Sequence, residues 1–240
     1  MPKLQALIFD MDGVLIDNTA YQARAFQLLF RDLGLTTNAR RLLARLNGMP
    51  ATAILKSVFR HEVPEEDLEE YATQREFLYR TLYWSHRQPL AGLVHFLEAA
   101  RAAGLKIGLG TGSINATLSY ILDHLDLRRH FDVIVGADDV DKGKPHAETY
   151  AAVAQKLGID PENCVAFEDA ILGEQSAYRA HMRCVALTTT LKAKDFQAPL
   201  AIIKDFTELT PEHLRELFAQ AGVVPQPDKK LAQRQYAQQE

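Results

Sequence analysis

Six short apolar runs, at 4–9, 105–109, 133–135, 164–167, 184–187 and 201–203, set the strongest limit on what this chain can fold into. Most are rich in Val and Ile or tightly apolar, and most end in Gly, Asp, Glu or Thr. Runs of this kind read as strands buried on both faces, as in a parallel sheet, rather than half-exposed antiparallel strands. Helical patterns at 92–103, 115–125, 147–157 and 171–181 lie between them, with Gly104 and Gly158 placed to stop two of these helices. The alternation predicts βαβ crossovers and therefore an α/β fold with a doubly wound parallel sheet.

One section breaks the rhythm. From 17 to 85 there is no strand pattern, only amphipathic helical segments at 21–33, 39–46, 52–59 and 65–82. An all-helical insert after the first strand predicts a cap, with hinges near 16–18 and 85–89. The expected division is core over 1–16, helical cap over 17–85, core over 86–224, and a fraying Gln- and Lys-rich tail over 225–240. Composition narrows the class further. With 240 residues, 47% hydrophobic and 24% charged, the balance is globular, and a net charge of −4 without a basic block speaks against nucleic acid as a partner. No apolar stretch approaches the roughly 18 residues that span a bilayer, so no membrane association is expected. The segment after Met1-Pro2-Lys3 is too short and too acidic at its end for a secretory signal. Cys164 and Cys184 sit in apolar stretches with no metal-ligand spacing, which fits a reducing, cytoplasmic setting.

Ligands of open parallel sheets bind beyond the carboxyl ends of the strands, so the residues following each run carry the chemical information. They are Asp10-Met11-Asp12-Gly13, then Gly110-Thr111-Gly112-Ser113, then Asp138-Asp139 followed by Lys142-Gly143-Lys144-Pro145, then Glu168-Asp169. Asp10 and Asp12 point the same way if the backbone stays extended. Asp10 is then placed as a nucleophile or metal ligand and Asp12 as a proton donor and acceptor, although a turn built from Asp and Gly uses the same residues. Asp169 opens a helix, where a carboxylate serves as a cap; beside Asp10 it also completes a hard oxygen site suited to Mg2+. The backbone around 111–115 forms an anion site at a strand-to-helix turn. The glycines at 108, 110 and 112 lack the full dinucleotide fingerprint, so no nucleotide cofactor is expected. Lys144 reads alone as a surface charge, and among these acids as a phosphate clamp.

These residues resemble a known family. Asp10-Met11-Asp12-Gly13-Val14 is similar to the DxDG[VT] signature of haloacid dehalogenase-like phosphotransferases. Thr111 resembles the family's second motif, Lys144 its third, and Glu168-Asp169 with Gly173 its fourth. The insert resembles a C1-type cap, and the phosphatase and β-phosphoglucomutase-like branch is the nearest. The resemblance implies a Rossmann-like core and a Mg2+-dependent, two-step phosphoryl transfer. Asp10 would attack phosphorus, and Asp12 would protonate the leaving oxygen and then activate water. Mg2+ would bind Asp10, the Asp12 carbonyl and Asp169, with Glu168 in or near its shell. Thr111, Gly112 and Lys144 would hold the phosphate. Asp12 argues against true haloacid dehalogenation, since that branch lacks an acid there.

Departures from the branch refine the expectation. Where β-phosphoglucomutases carry a cap-entrance histidine this chain has Gln22, and Gly48-Met49-Pro50-Ala51 supplies no arginine for a second phosphate. The expected activity is therefore hydrolysis of a small phosphorylated metabolite such as a sugar phosphate, by a monomer or weak homo-oligomer. A phosphosugar mutase is the alternative. A phosphonatase would need a cap lysine, for which Lys56 is the only candidate, and a non-catalytic binding protein is the rival outside enzymes. Substrate selection is expected from Asn18, Gln22, Gly48, Ser113 and Asn115, within the entrance at 18–22, the cap segment at 47–52 and the turn after the second run. His146 reads as a helix-start residue and 83–87 as a packed hinge.

Overall fold

The computed structural model describes residues 2–227. Six strands, β1 (Ala6–Phe9), β2 (Lys106–Gly110), β3 (Val133–Val135), β4 (Cys164–Glu168), β5 (Arg183–Leu187) and β6 (Ala201–Ile203), coincide with the six apolar runs to within two residues at each end. They form one sheet in the order β3-β2-β1-β4-β5-β6, and every neighbouring pair is parallel. The chain order reverses direction at β1, between β2 and β4, which opens a crevice beyond the carboxyl ends of the central strands.

The alternation of side chains along β1 divides the core in two. Leu7 and Phe9 face a cluster that includes Phe96 and Leu97 of α5 (Leu93–Ala102) and Leu214 and Phe218 of α9 (Pro211–Gln220). Ala6 and Ile8 face Tyr150 and Val153 of α7 (Glu148–Leu157) and Ala177 and Tyr178 of α8 (Ile171–Arg179). Both faces are thus covered, which is why the strands are apolar throughout. Phe9 stacks on Phe167 with centroids 4.5 Å apart, and Phe96 and Phe206 pack against both rings. This aromatic block lies directly beneath the residues that follow β1 and β4.

The segment between β1 and β2 is helical: α1 (Thr19–Asp32), α2 (Ala39–Leu46), α3 (Ala51–Lys56) and α4 (Glu65–Tyr83). These helices bury an apolar cluster of their own, including Phe26, Phe30, Leu43, Leu55 and Leu68. Helix α1 begins two residues earlier than its periodicity suggests, after Asn18, whose side chain does not cap it. That amide donates instead to Asp12 and to the Tyr79 hydroxyl.

The helix read at 115–125 is α-helical only as α6 (Asn115–Leu118) and continues as a π-helical turn over Ser119–Asp123. The buried positions Thr117, Leu118, Ile121 and Leu122 suit either winding, so periodicity does not distinguish them. Gly158, at φ 70°, stops α7 in the left-handed region as expected. Of the tail read at 225–240, residues 228–240 lie outside the described residues.

Candidate active site

Four strand ends converge. Asp10 follows β1, Thr111 follows β2, the loop after β3 delivers Lys144, and Glu168 closes β4 ahead of Asp169. Asp10, Thr111, Lys144, Glu168 and Asp169 are all buried. The Lys144 ammonium donates to Asp10 Oδ1 at 2.8 Å and to Glu168 Oε1 at 2.6 Å. Glu168 Oε1 also accepts from the Tyr150 hydroxyl at 2.5 Å, and Lys144 lies 4.7 Å from the centre of that ring. Burial works against the lysine charge, but Asp10 and Glu168 outweigh it and hold the ammonium above its ordinary pKa. Lys144 is therefore a fixed cation under the site, not a surface charge.

Carboxylates outnumber that cation. Oxygens of Asp10, Glu168 and Asp169 lie within 4.8 Å of one another. Burial first, then the charges of Glu168 and Asp10, push the Asp169 carboxyl well above the usual carboxylate range. Burial likewise pushes Glu168 up to about 7 despite the opposing pull of Lys144. Asp169 Oδ2 accepts from Thr190 Oγ1 and, at 3.3 Å, from Asn47 Nδ2, whereas Asp169 Oδ1 is buried with no partner among the described residues. An all-oxygen set with one buried orphan and excess negative charge fits a hard divalent cation. Glu168 is already engaged through Oε1 by Lys144 and Tyr150 and through Oε2 by the Asp169 N–H, at 3.3 Å.

Gly13 makes this packing possible. It sits at φ 76°, and a Cβ there would fall 2.0 Å from Asp169 Oδ2. Gly13→Ala is expected to cost roughly 2 kcal/mol or more, from left-handed backbone strain plus displacement of a buried carboxylate. Urea unfolding of the metal-free protein measures it, and an unchanged midpoint would contradict the packing described.

Asp12 stands apart from this cluster. Half-buried, it accepts from Asn18 Nδ2 at 2.5 Å and from Ser113 Oγ at 2.8 Å. Burial, followed by the neighbouring Asp10 charge, raises its pKa, and those two hydrogen bonds oppose the rise. The same Asn18 amide donates to the Tyr79 hydroxyl at 2.7 Å. The residue at the N-cap position of α1 thus holds Asp12 in place of its own helix.

A cavity of about 60 Å3 lies between the strand ends and the helical segment. Asp10, Asp12, Thr111, Gly112 and Ser113 line it from the sheet side, and Gln22, Asn47, Gly48 and Met49 from the helical side. Two further lining residues, Arg75 and Glu76 of α4, escaped the sequence reading. The Arg75 Nη1 donates to Gln22 Oε1 at 2.6 Å. Glu76 could have been found: it stands on the stripe Leu68, Ala72, Tyr79, Tyr83, where its neighbours are apolar.

The remaining expectations separate cleanly. Asn115 lies outside the cavity, its N–H donating to Asp138 Oδ2 at 2.8 Å. Asn18 donates to Asp12 and is not among the lining residues. His146 precedes α7, where its Nδ1 accepts the Glu148 N–H at 3.3 Å. In the segment 83–87, Arg87 stacks on Trp84 and Tyr120, both at 4.3 Å, and is not among the residues lining the cavity. Lys56 also lies away from it.

A model of the haloacid dehalogenase-like hydrolases matches residues 7–187. The chain belongs to that family. Among haloacid dehalogenase-like relatives, the fructose-1-phosphate phosphatase YqaB of Escherichia coli (strain K12) is 35% identical over 185 residues, covering 76% of this chain and 96% of that protein. Hexitol phosphatase B of Escherichia coli (strain K12) is 29% identical over 215 residues, covering 88% of this chain and 97% of its own. Among solved structures of similar fold, a β-phosphoglucomutase from Clostridium difficile aligns with a TM-score of 0.82 at 25% identity, over 90% of this chain and 98% of that one. No described helix is long and apolar enough to cross a membrane.

Proposed function

We propose that this haloacid dehalogenase-like hydrolase is a Mg2+-dependent phosphatase of a small phosphorylated sugar or related metabolite. The observation that carries the reading is the division of labour between two aspartates two residues apart. Asp10 accepts a hydrogen bond from the buried Lys144 ammonium at 2.8 Å, while burial and the Asp10 charge push Asp12 toward its protonated form. One carboxylate is therefore kept as a nucleophile and the other as an acid, the pattern of a two-carboxylate mechanism.

In this mechanism Asp10 attacks phosphorus, and the ester oxygen leaves with the proton held on Asp12. Asp12, now a carboxylate, takes a proton from the water that hydrolyses the Asp10 acyl phosphate, and so returns to its starting state. Ser113 and Asn18 hold the two Asp12 oxygens, which fixes the direction of proton transfer. Thr111, the Gly112 N–H and Lys144 bind the phosphate oxygens and offset the charge that develops on them. Mg2+, held by Asp10 and Asp169 with Glu168 beside them, would supply charge neutralisation of the phosphoryl group. The helical segment over 17–85 acts as a cap, and residues Gln22 and Gly48 on its inner side contact substrate while the closed cavity excludes bulk water.

Hydrolysis is favoured over mutase activity because, among the described residues, the helical side of the cavity offers no unpaired cation for a second phosphate. Gly48-Met49-Pro50-Ala51 has none, and the Arg75 guanidinium is bound by Gln22 and Glu76. The test is Mg2+-dependent phosphate release from p-nitrophenyl phosphate and from a panel of sugar phosphates. Release from sugar monophosphates at kcat/KM above the aryl ester supports the reading. Isomerisation of β-glucose 1-phosphate with a bisphosphate activator and no net phosphate release would establish the mutase instead.

Metal and pH are linked at this site. A carboxyl whose folded pKa lies above its unfolded value keeps its proton on folding, so metal-free stability is full below the unfolded pKa. It falls as pH rises toward the folded pKa. For Glu168 that window runs from 4.5 to about 7. Mg2+ relieves the same crowding, so it is expected to raise the thermal midpoint by roughly 5 °C at pH 7.5 and far less at pH 5. Differential scanning calorimetry at the two pH values checks this. An equal gain at both would contradict it.

A further inference from the structure

Beyond the two aspartates after β1, the charged groups lining the cavity are Arg75 and Glu76, and they are bound to each other. Glu76 is 7% exposed on the apolar stripe of α4. Its Oε1 accepts from Arg80 Nε at 2.8 Å and from Thr117 Oγ1 at 2.6 Å, and its Oε2 lies 3.3 Å from Arg75 Nη2. Arg75 in turn donates to Gln22 and packs 5.2 Å from the centre of the Phe26 ring. The second arginine is the more exposed, with 32% of its side chain accessible, and it stacks over Tyr120 outside the cavity. A buried carboxylate replaces what would be an apolar position on this helix, an expensive placement unless the site uses it.

The chemistry of this wall is selective. A second phosphate or a carboxylate on the substrate would meet the Glu76 carboxylate, and the guanidinium that faces the cavity, Arg75, is already paired with Glu76 and Gln22. A hydroxyl both donates and accepts, so it can give a hydrogen bond to Glu76 or Gln22 and take one from Arg75 or Asn47. Rejection of one ligand class by a fixed like charge is a common source of specificity, and buried polar groups discriminate strongly for ligands that satisfy them. We propose that Glu76, positioned by Arg80 and Thr117 and paired with Arg75, is a specificity-determining residue. It selects substrates whose end remote from the phosphate is a neutral, multiply hydroxylated carbon chain, and it rejects a second anionic group.

The inference rests on the phosphatase reading and deepens it. The test compares kcat/KM for a hexitol monophosphate, a hexose bisphosphate and a phosphorylated hydroxy acid of similar length, in wild type and Glu76→Gln. In wild type the hexitol ester is expected to be favoured over both anionic-ended esters by about tenfold or more. Glu76→Gln keeps the side-chain shape and is expected to shrink that preference about tenfold, chiefly through KM. Ratios measured within one variant are independent of the fraction of folded enzyme. A merely structural tie between α4 and α6 would lower the unfolding midpoint and leave the ratios unchanged, which overturns the proposal. A wild type that prefers the bisphosphate or the hydroxy acid overturns it without recourse to the variant. A wild type inert toward all phosphate esters, p-nitrophenyl phosphate included, removes the phosphatase reading and the inference with it.

Discussion

Asp10→Asn is expected to lower kcat by on the order of 10^4-fold or more, because the amide cannot attack phosphorus and no neighbouring group replaces it. The two other buried carboxylates of the cluster cannot substitute: Glu168 is held by Lys144 and Tyr150, and Asp169 by Thr190 and Asn47. The same substitution should leave the metal-free fold more stable, by roughly 1 kcal/mol. Three carboxylates crowd together in the wild type with one ammonium bound to two of them, and removing one charge relieves that crowding while Lys144 keeps Glu168. Loss of turnover together with a raised unfolding midpoint is the signature of a functional group held against local stability. Loss of turnover with a lowered midpoint would point instead to a structural role for Asp10.

Lys144→Met carries the largest expected effect on stability. The ammonium is fully buried between Asp10 and Glu168, so the apolar substitution leaves both without a cationic partner. Breaking a buried pair from one side costs about 3–5 kcal/mol. Chemical unfolding without metal is the measurement, and Mg2+ should recover part of the loss because it supplies positive charge to the same carboxylates. Phosphatase activity should fall as well, since the lysine also binds the phosphate in the proposed mechanism. A cost below about 1 kcal/mol would mean that the lysine is solvated and that the site is more open than described.

The sheet and its chemical edge were legible because the physics that shapes them is local. A strand buried on both faces must be apolar along its whole length, and the chain must then turn at the sheet edge. Asp10, Thr111 and Glu168 stand at those turns, and their spacing is visible without knowledge of the packing. Lys144 was harder, because a lysine in a loop reads as solvated until the loop is placed between two acids. The helical side was less legible still. Asn18 looks like a helix cap, yet its amide holds Asp12 and Tyr79.

Arg75 and Glu76 lie more than sixty residues from Asp10, on a helix whose polar residues mostly face solvent. Only tertiary packing of α1 against α4 brings them to the cavity. Glu76 was marked by its place on an apolar stripe, whereas nothing local marks Arg75. Asn115 shows the converse: it too follows the second strand, but its backbone N–H bonds Asp138 and it is not among the residues lining the cavity.

In the proposed mechanism the phosphoryl group passes to Asp10 during turnover. Trapping the intermediate tests it most directly. Enzyme turning over substrate with Mg2+ is quenched, the acyl phosphate is reduced with borohydride, and the digested protein is mapped by mass spectrometry. Conversion of Asp10 to homoserine is expected, dependent on substrate and absent in Asp10→Asn. Rapid turnover with Asp10 unmodified, or modification at Asp12 or Asp169 instead, would contradict it.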